Sequence, residues 1–549
     1  MSTSGLVAQS YDLIISGAKI VDGTGSPWFH GDLAVTGDRI VKMTPAGLLK
    51  GAAAKRRIAA EGLVLAPGFI DIQGQSIDGL LDGDGRVIAK VSQGVTTEIM
   101  GEGSSYAPAN GRTSLRTQGK VRFAGDHGFD EWLRAMEVHG GSVNMGSFMG
   151  AGTLRQYLKG MMLGRLDDAQ KKELQRVVRL GMEDGAFGIA SALIYPPGSY
   201  SNTDELVEMS TAMAPYGGVY ITHMRSEADQ LLEAIDEAIE IGRRAGVAVE
   251  IYHLKAAGKE NYGKLTAAIE KIERARAAGL DIQANMYPYT AGLTGLTSCF
   301  PADVAADGKL FANLGHLAIR QKIKADIDSG KVDYENLCLQ AGPEEVLVLG
   351  LNKPENQKYV GKRLSEIAAA MKKHWVEAAM DLVLSERQRI GTVYFMMSEE
   401  NVKRQLQLPW IKIGTDAGGP DPATATARVH PRSYGTYTRI LGKYVRDEKV
   451  LTLEEAVRKM TSAVATRLSL GDRGVLREGM AADLVLFNES TVAERATYES
   501  PHQVSAGVEH VFVNGVEVWA QGKHTGAKPG KALRGPGWLR GTGPKVLSK

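Results

Sequence analysis

The sequence predicts an α/β protein built around a (β/α)8 TIM barrel, joined to a small β-sandwich and an inserted subdomain. Eight short apolar segments alternate with amphipathic helical patterns over about 400 residues, which is the alternation typical of such a barrel. Patterns rich in β-strand residues flank this region at both chain ends. A doubly wound open sheet is the competing architecture, but its Gly-x-Gly-x-x-Gly fingerprint is missing from the sequence.

The two chain ends predict one discontinuous β-sandwich domain, made of residues 1–64 and 473–535. Both ends alternate short β-rich segments with turn residues, and Gly37-Asp38 and Asn514-Gly515 are typical of hairpin turns. The predicted elements are strands at residues 11–16, 17–23, 482–487 and 508–519, and a hairpin at residues 32–43.

Residues 65–472 are predicted to form the barrel, because apolar runs and helical periodicity alternate throughout this region. The eight candidate strands are residues 68–72, 96–100, 143–149, 187–192, 219–223, 247–253, 281–287 and 411–416. Residues 166–182, 226–245 and 262–278 have the apolar spacing of amphipathic helices.

Two further segments do not fit the repeating pattern. Residues 295–400 are too long for one crossover, so they predict an inserted subdomain, with an extra strand at residues 391–397. Residues 525–549 carry six Lys+Arg and no acid, so they predict a solvated or wrapping tail, with a binding arm as the alternative. The last part, residues 536–549, is predicted as a separate basic tail rich in Gly and Pro.

Composition limits the function classes. The 549 residues carry 65 Lys+Arg and 63 Asp+Glu, so bulk charge gives no case for nucleic-acid binding. No apolar run of about 18 residues occurs, which excludes a membrane span. Cys299 and Cys338 are the only cysteines and predict no disulfide framework. The absence of an intact signal peptide predicts a cytoplasmic protein, with the periplasm as the alternative. The sequence is also compatible with a homo-oligomer.

Chemically useful side chains follow four of the predicted barrel strands, at the ends where barrel enzymes carry their active sites. Strand five ends at His223, strand six at His253 and strand eight at Asp416, and strand two runs into Glu102. Imidazole and carboxylate are ligands that Zn²⁺ prefers, so these residues predict a metal site. Glu98 is a rival to Glu102, because strand parity alone cannot choose between them. The structural alternatives are packing histidines, a charged loop residue at 102 and a helix N-cap at 416.

Ten short motifs, spread from about residue 11 to residue 535, point to a family. The motifs are Leu65-Ala-Pro-Gly-Phe-Ile-Asp, Gly94-Val-Thr-Thr, Gly152-Thr-Leu-Arg, Tyr195-Pro-Pro-Gly, Thr222-His-Met-Arg-Ser-Glu, His253-Leu-Lys, Tyr287-Pro-Tyr, Gly414-Thr-Asp, His430-Pro-Arg and Gly479-Met-Ala-Ala-Asp-Leu-Val-Leu-Phe. With them the chain resembles the amidohydrolase superfamily, specifically the D-aminoacylase (N-acyl-D-amino-acid deacylase) group. The resemblance implies a metal-bearing barrel, a β-sandwich from both chain ends, and hydrolysis of an amide bond in a small-molecule substrate.

The sequence departs from that family pattern at two places. The superfamily usually has His-x-His after the first strand, but here the segment is Gln73-Gly74-Gln75. Carboxamides are poor Zn²⁺ ligands compared with imidazole, so we expect one zinc ion rather than two. The Cys ligand that the group carries after strand two is also missing, and Glu102 is the nearest group that could replace it.

The expected mechanism uses zinc held by His223, His253 and Glu102, which lowers the pKa of a bound water to about 7. Asp416 is expected to take the proton of that water and pass it to the leaving nitrogen. The expected substrate-binding residues are Lys255, Tyr287, Tyr195 and Arg432, and His430 is expected to support them.

Other functions stay open at this stage. The same chemistry could act on a cyclic amide, a dipeptide or an aryl amide, because the changed strand-one segment lines the pocket floor. A metal-free pseudoenzyme that binds a ligand or partner is the alternative from another class. A serine amidase is weaker, because no Gly-x-Ser-x-Gly elbow is present.

Overall fold

The computed structural model describes residues 10–113, 116–117, 120–330 and 332–539. Its strands, in chain order, are β1 (Tyr11–Ile20), β2 (Phe29–Thr36), β3 (Arg39–Pro45), β4 (Ala54–Ala59), β5 (Val64–Pro67), β6 (Phe69–Asp71), β7 (Val95–Met100), β8 (Arg116–Thr117), β9 (Lys120–Val121), β10 (Asn144–Ser147), β11 (Met149–Gly150), β12 (Gly188–Ala192), β13 (Val219–His223), β14 (Ala248–Ile251), β15 (Ile282–Met286), β16 (Ala291–Gly295), β17 (Val346–Val348), β18 (Gly391–Phe395), β19 (Ile411–Ile413), β20 (Leu484–Phe487), β21 (Val508–Val513), β22 (Val516–Ala520) and β23 (Lys523–His524).

The α-helices lie mainly between the strands of the central region. In chain order they are α1 (Ile77–Leu81), α2 (Ile88–Val91), α3 (Gly128–His139), α4 (Ala151–Lys159), α5 (Asp168–Glu183), α6 (Thr203–Met213), α7 (Leu231–Ala245), α8 (Lys264–Ala277), α9 (Leu310–Gly315), α10 (Leu317–Asp328), α11 (Leu337–Ala341), α12 (Leu364–Met371), α13 (Trp375–Glu386), α14 (Glu399–Leu406), α15 (Arg432–Arg439), α16 (Leu453–Met460) and α17 (Ser462–Arg467). A π-helical segment, Ile440–Asp447, continues α15. Within the described residues, no helix is both long and apolar enough to cross a bilayer.

The predicted barrel is confirmed, with a strand in each of the eight candidate segments. Its strands pair in parallel in the order β6, β7, β10, then β11, β12, β13, β14, β15, β19, where β10 and β11 are one segment interrupted at Phe148. The ring closes through a parallel bridge between Gly74 and Ala417 and a 2.8 Å hydrogen bond from Asp416 N to Gln73 O. This closure brings the strand-one segment beside the residue predicted as the proton carrier.

Strands from both chain ends form one nine-stranded sheet. Its order is β23, β22, β21, β20, β5, β1, β2, β3, with β4 paired to β1. The two ends meet where β20 pairs antiparallel with β5. The prediction of two strands at residues 11–16 and 17–23 is wrong, because β1 is a single strand with a bulge between Ile15 and Ala18. Gly17 takes a φ of 72° there, so a residue that predicts a turn instead kinks a continuous strand.

An insertion between β15 and β19 has its own sheet and core. Strands β16, β18 and β17 pair antiparallel in that order, and helices α9 to α13 pack around a separate apolar cluster. Cys299 and Cys338 form a disulfide inside this insertion, with their Cα atoms 5.1 Å apart. Two cysteines predicted no disulfide framework, and the structure adds that these two are joined to each other. The two residues are 39 positions apart, and only the packing of the insertion brings them together.

The chain that follows β23 runs back along the barrel. Leu533 donates from N to Met145 O at 2.7 Å, and Arg534 forms an ion pair of 2.7 Å with Asp130. This packing agrees with a wrapping segment over residues 525–539. Most of the predicted basic tail, residues 540–549, lies outside the described residues, as do residues 1–9 of the predicted sandwich.

Candidate active site

Four groups predicted from the sequence meet at the carboxyl ends of the barrel strands. His223 is the last residue of β13, and His253 follows the end of β14 by two residues. Glu102 follows β7 by two residues, and Asp416 follows β19 by three. Because parallel strands share one end of the barrel, residues far apart in sequence converge there.

Glu102, His223 and His253 present one ligand atom each to a common point. His223 Nδ1 lies 2.9 Å from His253 Nε2, and Glu102 Oε1 lies 3.2 Å and 3.0 Å from these two nitrogens. Ligands of a tetrahedral zinc ion are about 3.3 Å apart, given zinc–nitrogen distances of about 2.0–2.1 Å. Two facing ring nitrogens at 2.9 Å also repel unless a proton or a cation lies with them. The donor set and its spacing therefore fit a zinc ion, with one tetrahedral position left for water or substrate.

The chain bends sharply at two of these residues. His253 has a φ of 32° and Asp416 a φ of 48°, a region that residues other than glycine rarely adopt. Such conformations cost about 1–3 kcal/mol each and persist where surrounding contacts impose them. The backbone N of His253 donates to Asn285 Oδ1 at 2.9 Å, and Thr415 N donates to Asp71 Oδ1 at 2.9 Å. The site geometry is thus held by contacts from neighbouring strands.

A buried lysine supports the turn that carries Asp416. Lys90 Nζ lies 2.7 Å from Asp71 Oδ2, 2.6 Å from Thr415 Oγ1 and 2.6 Å from the carbonyl oxygen of Ala417. It is completely buried, so its charge needs these partners. Lys90 thereby ties the end of β6 to Thr415 and Ala417, the two neighbours of Asp416.

The rival ligand Glu98 belongs to this buried cluster and lies apart from the histidine pair. Its Oε1 accepts a 3.0 Å hydrogen bond from Ser76 N and lies 3.4 Å from Lys90 Nζ. Among the described residues, the group that could hold a metal contains Glu102 and not Glu98.

Glu102, His223 and His253 also control one another's protonation. Burial alone would raise the pKa of Glu102, but the charges of His253 and His223 and their hydrogen bonds hold it well below its ordinary value. Burial is the main cause that lowers the pKa of His223. Burial and Lys255 oppose the charged form of His253, yet Glu227 and Glu102 outweigh them and raise its pKa to about 9.

Asp416 combines burial with a strong ion pair. Its Oδ2 lies 2.8 Å from Arg432 Nη2, and its Oδ1 lies 3.4 Å from Gln75 Nε2. Burial raises the pKa of Asp416 to about 6, although the nearby Arg432 charge works in the opposite direction. A carboxyl group with a pKa near neutrality can both accept and release a proton during one turnover.

Sequence reasoning missed Glu227, which lies behind the histidine pair. Its Oε1 is 2.8 Å from His253 Nδ1 and 2.6 Å from Lys255 Nζ. His253 Nδ1 also lies 2.8 Å from Lys255 Nζ, so Glu227 and Lys255 together hold the side of the ring that faces away from the ligand point. Lys255 and His253 hold the pKa of Glu227 far below its ordinary value, against the effect of burial. The signal was available, since Glu227 lies four positions after His223 in the quoted motif.

The predicted substrate-binding residues surround Tyr287. The guanidinium of Arg432 lies 4.6 Å from the centre of the Tyr287 ring and Lys255 Nζ lies 5.7 Å from it. Tyr195 packs against His223, with ring centres 5.2 Å apart. His430 accepts a 2.9 Å hydrogen bond from Arg432 N through its Nδ1 and so supports Arg432. Lys255 differs from the expectation in one respect, because its ammonium group already pairs with Glu227.

These residues line one cavity of about 1290 Å³ between the barrel mouth and the insertion. This volume exceeds the usual range for small-molecule sites, about 300–1,000 Å³. The insertion contributes apolar residues, among them Phe300, Phe311 and Leu337. It also contributes Glu335, whose pKa burial raises to about 7 and whose Oε2 accepts a 2.6 Å hydrogen bond from Glu227 N. Sequence reasoning missed Glu335, since no strand-end motif marks it.

This chain shares its sequence family and its fold with known proteins. Residues 388–519 match the model of the amidohydrolase family described as "Amidohydro_3: Amidohydrolase family". A D-aminoacylase of Alcaligenes xylosoxydans xylosoxydans is 34% identical over 533 residues, which are 96% of this chain and 98% of that protein.

Two solved structures are similar over nearly the whole chain. One is an N-acyl-D-glutamate deacylase from Bordetella bronchiseptica with zinc and a phosphonate inhibitor, at 29% identity, 96% and 100% coverage, and a TM-score of 0.79. The other is a D-aminoacylase with a binuclear metal centre, described by one-metal activation and second-metal attenuation, at 32% identity, 95% and 100% coverage, and a TM-score of 0.78. The chain therefore belongs to the amidohydrolase family, within its group of D-aminoacylases and N-acyl-D-amino-acid deacylases.

Proposed function

We propose that this protein is a zinc-dependent deacylase that cleaves the amide bond of an N-acyl-D-amino acid with a single zinc ion. The observation that carries this proposal is the convergence of Glu102 Oε1, His223 Nδ1 and His253 Nε2 within 3.2 Å of one another. When bound there, the ion would polarise the scissile carbonyl group and make a water molecule more acidic.

The substrate's carboxylate is proposed to bind Arg432. The Nε and Nη1 atoms of this residue are buried and have no hydrogen-bond partner among the described residues, although Nη2 pairs with Asp416. The unpaired Nη1 can donate to one oxygen of a substrate carboxylate, and the guanidinium charge attracts that anion. Tyr287 and Tyr195 would flank the bound molecule, because both line the cavity beside the histidine pair.

Asp416 is proposed to carry the proton. Its carboxylate accepts a proton from the attacking water and then gives it to the leaving nitrogen, so that an amine departs instead of an amide anion. Arg432 would serve both ends of this step, since it contacts Asp416 and can hold the substrate.

The relatives support the D configuration and the use of one ion. The similar proteins are named for D-amino-acid substrates, and one D-aminoacylase is described as activated by one metal. Gln73 and Gln75 support the single ion here, because amides are weaker zinc ligands than imidazoles.

The compartment and the quaternary state belong to the same proposal. The disulfide between Cys299 and Cys338 favours an oxidising compartment such as the periplasm over the cytoplasm. We propose that the binding partner is a small-molecule amide. Native mass spectrometry would give the number of chains in the assembled protein.

The test is hydrolysis of paired D and L substrates by protein prepared without chelators. N-acetyl and longer N-acyl derivatives of methionine, glutamate and aspartate would be assayed by release of the free amino acid. The proposal predicts turnover of D-substrates that is lost with a chelator and restored by zinc. Turnover of hydantoins, dipeptides or aryl amides instead would favour the alternative substrates. Zinc binding without turnover of any amide would favour a binding protein.

A further inference from the structure

Gln73 and Gln75, which follow β6, place two amide donors on Glu102, the predicted metal ligand. Gln73 Nε2 and Gln75 Nε2 each lie 2.8 Å from Glu102 Oε2. Both side chains therefore reach the site. An amide presents hydrogen atoms only through its nitrogen, and a carboxylate can only accept. Both glutamines must therefore turn their nitrogens toward Glu102.

The carboxylate of Glu102 is consequently divided between two sets of partners. Its Oε2 receives the two glutamine donors, and its Oε1 faces His223 and His253. Hydrogen bonds to an ionised acceptor are about twice as strong as neutral ones. Two such bonds on one oxygen hold the carboxylate plane and leave the other oxygen free to serve as a single ligand atom.

The backbone between the glutamines is fixed as well. A Cβ atom on Gly74 would lie 2.0 Å from Cγ of Glu98, so only glycine lets this segment pass so close to β7. Glu98 is itself held by Ser76 N and by Lys90. Side-chain freedom at Gln73 is small too, because this residue is only 1% exposed.

We infer that Gln73 and Gln75 are positioning residues that stand in for a second metal ion, by binding Glu102 Oε2 and aiming Oε1 at a single ion. The inference rests on the proposed function only in that the ion is held by Glu102, His223 and His253. It goes beyond the loss of two ligands, because it gives the glutamines an active role. The carboxylate of Glu102 and the amides of Gln73 and Gln75 then act together, because the amides orient the carboxylate that binds the ion.

The test measures metal binding and does not need a substrate. Gln75→Met removes one donor at nearly constant size, and Gln75 is exposed, so folding should tolerate the change. Gln73→Met with Gln75→Met removes both donors. The matched control is Gln175→Met, since Gln175 Nε2 also donates to a carboxylate, Glu208 at 3.2 Å, but on an exposed helix surface. Zinc dissociation constants come from competition with a chromophoric chelator, and cobalt(II) absorption reports the ligand geometry.

Loss of hydrogen bonds to a metal ligand typically weakens metal binding 10–100-fold. We expect the double Met variant to bind zinc about 10–100-fold more weakly, with a changed cobalt(II) spectrum, and the control to match the wild type. Gln73→His with Gln75→His should raise the zinc content toward two ions per chain. Unchanged affinity and spectrum in both the single and the double Met variants would overturn the inference.

The outcomes separate this inference from the proposed function. Wild-type protein that binds one zinc ion but cleaves no N-acyl amino acid would refute the function, while weakened binding in the Met variants would still support the inference. Wild-type protein that binds no zinc would overturn both.

Discussion

The guanidinium of Arg432 lies 2.8 Å from the carboxylate of Asp416 and still has two donors without a partner among the described residues. One residue therefore contacts both the proposed proton carrier and the space where a substrate carboxylate would bind. Its charge also bears on the pKa of Asp416, against the effect of burial. The binding of substrate and the protonation of the carboxylate are thus linked through a single side chain.

The activity should depend on the ionisation of Asp416. Its pKa is raised to about 6, and a general base works only in its deprotonated form. We therefore expect kcat/KM to be constant just above this value and to fall about tenfold per pH unit below it. The control is Asp416→Asn, which should fold and bind zinc while turnover drops by about 10²-fold or more. A flat profile between pH 5 and 7 (about one unit either side of the expected pKa) would remove Asp416 from this role.

Two substitutions of Arg432 should separate its charge from its geometry. Arg432→Lys keeps the positive charge but loses the fork, so KM should rise while the acid limb of the pH profile stays in place. Arg432→Gln also loses the charge that lowers the pKa of Asp416, so the acid limb should move to higher pH. Loss of a charge-assisted hydrogen bond, about 1.5–3 kcal/mol, predicts a decrease in kcat/KM of about 10–150-fold for either variant. Equal KM values in both variants and the wild type would show that the substrate carboxylate binds elsewhere.

Glu227 should control the affinity of the site for zinc. Glu227→Gln removes the negative charge that lies 2.8 Å from His253 Nδ1 and leaves Lys255 without its counter-ion. We expect zinc binding to weaken about 10–100-fold, as measured by chelator competition. Glu237→Gln is the matched control, because Glu237 also forms an ion pair, with Arg225, which lies two residues before Glu227. Wild-type affinity in the Glu227 variant would mean that the ring needs no such support.

The disulfide should stabilise the insertion. Cross-links that close loops of this length typically contribute about 2–4 kcal/mol. A variant with Cys299→Ser and Cys338→Ser should unfold at lower denaturant concentration than the wild type under oxidising conditions. Adding a reductant should lower the wild-type midpoint to that of the variant and leave the variant unchanged. Identical midpoints without reductant would contradict the linkage seen in the structure.

The sequence predicted the parts of the site that strand ends reveal. His223, His253 and Asp416 each follow a short apolar segment, and the parallel barrel then brings the segments together. The resemblance to a known family located the same region through Gln73-Gly74-Gln75.

Features that depend on packing between distant segments were not predictable. Glu335 reaches the site from the insertion, and the pairing of Cys299 with Cys338 depends on how that insertion folds. The role of Lys90 depends on contacts with Asp71 and Thr415 across three barrel segments. Hydrophobic periodicity carries no information on such contacts, because it reports only which face of one element is buried.

The zinc content of the protein tests the single-ion site most directly, measured by elemental analysis after purification without chelators or a metal-affinity step. We expect about one zinc ion per chain, and we expect it to be lost in His253→Ala. No bound metal, even after incubation with zinc, would contradict the hydrolase and favour a protein that only binds its ligand. Two ions per chain in the wild type would contradict the single-ion site that Gln73 and Gln75 predict.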